Sequence, residues 1–206
     1  MTPRSLSILA GISYWIIFFA AIFANFMMLE RLEHEPELLV GYEPGLVRVG
    51  ILAFMVTVVF DVVVAWALYM LFKDHALSLP ALLFRMMHAA LMAAAIFALP
   101  FALKETTAEG ILHQVDVFNT IWLIGLFFFG FHLLLLARIL DRPRVIAVFL
   151  AIAGVMYAVD TAAHFLLPNY ADHADMFLML VAVPSILGEM AFAVWLLVRG
   201  GKAAEA

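Results

Sequence analysis

Six apolar runs set the terms on which this chain can fold. They cover residues 8–29, 47–72, 79–103, 115–137, 145–167 and 176–198. Each is long enough, at about 1.5 Å per helical residue, to cross a hydrocarbon core about 30 Å thick. In lipid, a spanning segment has to satisfy its backbone hydrogen bonds internally, which makes each run a helix. The expected fold is all-α: a polytopic six-helix transmembrane bundle with short loops, forming a single transmembrane domain over residues 1–206. Composition agrees. Charged residues make up 13% of the chain, against about 25% in soluble domains, and the mean hydropathy is +1.10.

Polar breaks separate the runs. An acidic stretch from Glu30 to Glu37 follows the first, and Lys73-Asp74-His75 the second. Lys104 to Gly110, Arg138 to Arg144 and Pro168-Asn169-Tyr170 follow the next three. The first run is too long for a signal-peptide h-region and lacks a good A-x-A cleavage site, so it reads as a membrane helix. Six spans place both termini on one side. Arg4, Lys73, Arg138, Arg142, Arg144, Arg199 and Lys202 fall on that side, against Arg31, Arg48 and Lys104 on the other. By the positive-inside rule, that side is the cytoplasm. The expected location is the bacterial inner (cytoplasmic) membrane.

Several function classes drop out. With no cysteine there is no disulfide, thiolate metal site or thiol nucleophile. No basic patch suits a nucleic acid. No nucleophile–base–orienter set and no glycine-rich phosphate loop stand out, so an enzymatic reading has no assembled catalytic set.

The informative residues are the ionisable ones inside the runs. A cation deep in a span costs roughly 2.5–3.5 kcal/mol on insertion scales, so Arg85 needs a partner or a wet cavity. Counting about 1.5 Å per residue, Arg85 and His132 lie roughly 9 Å from the cytoplasmic edge, His88 about 13 Å and Glu189 about 15 Å. Asp61 is near the midplane. These groups can form one inner-half cluster. A structural reading pairs Arg85 with Asp61 or Glu189 to fix helix packing. A functional reading makes Asp61, Arg85, His132 and Glu189 a ligand-binding or proton-linked site, with the acids titrating.

Other constellations have weaker spacing. Asp160 and His164, at i and i+4 nearer the outer face, could join His113 or Asp116 around a metal. Zinc wants at least three protein ligands, so no metal is assigned and a hydrogen-bonded pair is the expectation. His88 and His132 at similar depth are the alternative axial ligands of a b-type haem. The aromatic run Phe127 to Phe131 and the methionines read as lipid-facing and packing surface, with Trp15, Trp122 and Trp195 as interfacial anchors. A faint internal echo relates Ala10-Gly11-Ile12-Ser13-Tyr14 to Ala153-Gly154-Val155-Met156-Tyr157, and Asp61 then Trp66 to Glu189 then Trp195. It suggests parallel repeats flanking the central hairpin.

Five segments carry a resemblance along most of the chain. They are Leu83-Phe84-Arg85, Gly125 to Leu135, Ala153 to Asp160, Leu167-Pro168-Asn169-Tyr170 and Glu189 to Leu197. In these the chain resembles the domain of unknown function 4386 family of bacterial multi-pass membrane proteins. The resemblance implies an inner-membrane protein without an assigned activity. It draws interest to Arg85, His132, Asp160 and Glu189, which fall on recurring positions, and leaves His88 and His164 outside the usual pattern.

The leading expectation is a binding or transport-like membrane protein with an unknown small ligand in its inner-half polar cluster. The alternatives are a non-catalytic accessory or assembly subunit, with a protein partner or as a homo-oligomer, and a haem or other cofactor protein.

Overall fold

The structure, a computed structural model, describes residues 1–201, and Lys202 of the charge count lies outside them. Six helices are long and apolar enough to cross a membrane, and among the described residues there is no strand. We label them α1 (Pro3–His34), α2 (Pro44–Leu71), α3 (Ser78–Ala102), α4 (Ala108–Ile139), α5 (Arg144–Leu166) and α6 (Ala174–Val198). The chain is an integral, multi-pass membrane protein. Two helices outrun the apolar runs that announce them. Thr2 caps α1, accepting from Ser5 N at 3.1 Å with Pro3 in the first turn. Thr107 caps α4, accepting from Gly110 N at 3.2 Å, so α4 starts well before residue 115.

The helices form an up-and-down ring. Each packs on the next, and α6 returns to α1. Arg4 fastens this closure. Its guanidinium donates to the carbonyls of Leu196 at 3.1 Å, Gly200 at 3.0 Å and Leu197, the exposed acceptors at the C-terminal end of α6. Both ends of the described chain therefore sit at one face of the bundle. Gly11 is needed there, because a Cβ would fall 2.7 Å from Leu197 Cγ. At another seam α4 and α5 touch backbone to backbone, where a Cβ on Gly130 would meet Gly154 O at 2.6 Å.

Two apolar cores divide the bundle by height. The core near the termini includes Ala10, Leu68, Leu133, Leu150 and Phe192, from five of the six helices. The core at the far end includes Met28, Phe54, Leu99 and Phe118, and its members come from α1 to α4 with Leu39 of the intervening short helix Pro36–Tyr42. Neither α5 nor α6 contributes to it. In its last third α1 widens into a π-helical stretch, Phe23–Leu29, and Met28 packs on Gly50 of α2. Its contacts with α6 are concentrated before that stretch. The α1–α6 seam is thus tightest near the termini and loosens toward the other face. The polar residues lie between the two cores.

Candidate functional site

Arg85 is the centre of the polar layer. It projects from α3 with 1% of its surface accessible, and its partners come from three other helices. Nη2 donates to Asp61 Oδ1 of α2 at 2.5 Å. Nη1 donates to Tyr14 Oη of α1 at 2.8 Å and to His132 Nε2 of α4 at 3.2 Å. The rings of Tyr14 and Phe129 flank the guanidinium, with centroids 4.9 Å and 5.3 Å from Cζ. His132 Nδ1 is 2.9 Å from Ala81 O. It donates there while Nε2 accepts, which describes a neutral imidazole with both nitrogens engaged.

His88, one turn along α3 from Arg85, places Nε2 at 3.3 Å from Asp61 Oδ2 and its ring, tilted, 4.7 Å from that of Phe129. Asp61 thus bridges the arginine and the histidine. Arg85 Nε and His88 Nδ1 are buried without a protein partner. Buried polar nitrogens are normally paired, so both suit water or a small ligand. The haem alternative fits poorly here. His132, one of the two axial candidates, has no ring nitrogen left for an iron.

A second polar set stands on α5 and α6. Ser185 Oγ donates to Glu189 Oε1 at 2.6 Å, and Tyr157 Oη lies 3.0 Å from Ser185 Oγ. While the serine proton goes to the carboxylate, the tyrosine hydroxyl donates to the serine. Glu189 makes no ion pair among the described residues, and it is only half-buried. Arg85, whose charge sequence alone allows either acid to balance, is matched by Asp61.

Both sets line one cavity of about 190 Å³. Its wall includes Tyr14, Asp61, Arg85 and His88 on one side and Tyr157, Ser185 and Glu189 on the other, with Trp122 and Phe129 between. Taking about 30 Å³ per molecule, it would hold around six waters. Ile186 of α6 lines the cavity while half of its own surface is exposed on the outside of the bundle. The cavity therefore reaches the lipid-facing surface beside α6.

Some sequence expectations need correction. Asp160 and His164 do not form a hydrogen-bonded pair. Tyr170 Oη, in the turn before α6, donates to Asp160 Oδ1 at 2.6 Å, and His164 is exposed with its ring against Tyr170. The tyrosine reaches the acid first, because the chain doubles back at Pro168. His113 and Asp116 border a groove with Glu33 and Glu109 instead of approaching Asp160. Among the described residues no three His, Asp or Glu side chains converge as a metal site. Trp122 is no interfacial anchor; it packs inward against Phe54 and Phe118 at 5.0 Å and 5.2 Å. In the aromatic run, Phe129 and Gly130 are buried and the neighbouring phenylalanines are only partly covered.

Sequence reasoning passed over Tyr14, Ser185 and Tyr157 as site residues. A signal for the tyrosines was present, since they occupy corresponding places in the echoed segments and both line the cavity.

Comparison with known proteins covers nearly the whole chain. The family model described as Domain of unknown function (DUF4386) matches residues 9–200. A similar protein from Archaeoglobus fulgidus, described as uncharacterised, is 29% identical over 162 residues, covering 76% of this chain and 86% of that protein. No solved structure matches.

Proposed function

The chain belongs to the DUF4386 family, and from that premise we propose that it is a binding or transport-like membrane protein. It would exchange a small ligand together with protons at the cavity between Arg85 and Glu189. The observation that carries this reading is the contrast in charge partners. The positive charge of Arg85 is balanced at 2.5 Å by Asp61, whereas Glu189 faces the same cavity with only hydroxyl groups for company. Glu189 is the group left to take up and release a proton. Its hydroxyl chain supports the role, because Tyr157–Ser185–Glu189 can reverse its donors as the carboxyl changes state.

In this reading Arg85 and Asp61 form a fixed polar wall that orients the ligand, His132 holds Arg85 from behind that wall, and the unpaired nitrogens of Arg85 and His88 are available to the ligand. The cavity is smaller than the roughly 300–1,000 Å³ of sites for drug-sized molecules, which favours a ligand of few atoms. The six helices act as a single transmembrane domain in the cytoplasmic membrane of a prokaryote. The arginine-rich face carrying the termini lies in the cytoplasm. The setting is a prokaryote's rather than a bacterium's because a similar protein comes from an archaeon.

The test is proton movement in proteoliposomes under an imposed potassium diffusion potential, followed with an entrapped pH dye. Wild-type protein is expected to exceed protein-free vesicles, and Glu189→Gln to fall to their level. A wild-type signal equal to empty vesicles overturns the reading, as does full activity in both Glu189→Gln and Arg85→Ala. The orientation is tested separately. With no native cysteine, single cysteines at positions 74 and 106 should label from opposite sides of the membrane.

A further inference from the structure

A groove of about 940 Å³ lies away from the polar cavity, where α3, α4 and α5 meet near the α4–α5 loop. Its rim holds Arg138, Arg142 and Arg144, all exposed. None makes an ion pair or a side-chain hydrogen bond among the described residues. Asp141 is the one acid on the rim. Below them the floor is apolar: Phe84 stacked on Phe131 at 5.3 Å, and Val148 on α5. Phe131 precedes Arg138 by seven residues and Ala151 follows Arg144 by seven, so at about 1.5 Å per residue the floor descends about 10 Å into the bilayer.

Orientation during insertion accounts for positive charge in this loop. It does not account for an open apolar trough beneath that charge. A soluble phosphate would use the rim and leave the floor empty. We propose that this groove binds an anionic phospholipid, with the head-group phosphate held by Arg138, Arg142 and Arg144 and one acyl chain lying along Phe84, Phe131 and Val148. Guanidinium groups suit this task, because they present paired donors to phosphate oxygens. Basic pockets between membrane helices are an established setting for anionic head groups.

The experiment titrates the full chain, in mild detergent, with phosphatidylglycerol or phosphatidylcholine of the same acyl composition, reading bound lipid by native mass spectrometry. Phosphatidylglycerol is expected to remain bound where phosphatidylcholine does not. Neutralising all three arginines to glutamine is expected to weaken retention roughly a hundredfold, from about 1 kcal/mol per surface cation. Two further variants guard against misinsertion or misfolding of the triple variant. Arg142→Gln keeps Arg138 and Arg144 and should lose about fivefold on the same scale. Val148→Trp keeps every charge, fills the floor and should also weaken retention. Equal retention of the two lipids overturns the proposal, as does wild-type retention in Arg142→Gln and Val148→Trp together. Soluble glycerol phosphate displacing the lipid at equal concentration would also overturn it, by assigning the site to a free anion.

Discussion

The two halves of the polar cavity use opposite means of keeping charge inside a membrane. On α1 to α4, Arg85 and Asp61 neutralise each other, and Tyr14, His88 and His132 add hydrogen bonds around the pair. On α5 and α6, Glu189 has no cation and relies on Ser185 and Tyr157. The first half is locked because its two opposite charges are already matched to each other. The second is free to change state, because a hydroxyl serves a carboxylate and a carboxylic acid equally well. A ligand site needs both: a frame that does not move and a group that does.

The difference is sharpest when one partner is removed. Arg85→Leu leaves Asp61 as a buried uncompensated charge, and losing one member of such a pair costs about 3–5 kcal/mol. A large fall in melting temperature in mild detergent is expected, while Asp61→Leu with Arg85→Leu should recover most of it. A double variant as unstable as the single would break the contrast. Tyr14→Phe removes a hydrogen bond to a charged group and should cost about 1.5–3 kcal/mol by the same melting measurement. Ser185→Ala should cost about 1 kcal/mol, because the half-buried Glu189 can turn to water. Glu189→Gln should shift the melting temperature least of the cavity variants, since Ser185 can still donate to the amide oxygen, although proton movement should be lost. Severe instability of Glu189→Gln would mean that both halves are structural.

An exposed pair provides the floor of the scale. Arg31 and Glu43 meet at 3.1 Å outside the bundle, and hydrogen bonding and charge from Arg31 hold the Glu43 carboxyl below its usual range. A lowered acid stabilises the fold above its unfolded-state pKa and loses that contribution as pH falls through the folded value. Water screens this pair, so Glu43→Gln should leave the neutral-pH melting temperature within error.

Much of this was legible in the sequence, for reasons that differ by residue. The spans follow from run length. A partner for Arg85 follows from the cost of a lone buried cation, and depth counting brought Asp61 within reach. The choice between Asp61 and Glu189 was not legible, because it depends on which helices are neighbours and how they are rotated. Tyr14, Ser185 and Phe129 gave no warning as individual residues, since hydroxyls and aromatic rings are tolerated at many positions in membrane helices. Asp160 misled for another reason. Its partner Tyr170 lies beyond Pro168, where helical spacing no longer indicates what is close.

The clasp of Arg4 on the last turn of α6 has a consequence for how the protein is made. The hydrogen bond from Arg4 to Leu196 joins residues 192 apart in the chain. Translation delivers α1 to the membrane long before α6 emerges, so the ring cannot shut until α6 has been made. Until then the nascent bundle is an open arc whose arginine-bearing side faces lipid or the insertion machinery. Closure of the ring is therefore a step taken after α6 is synthesised, and any helix or chaperone that shields the arc must leave before α6 can occupy its place.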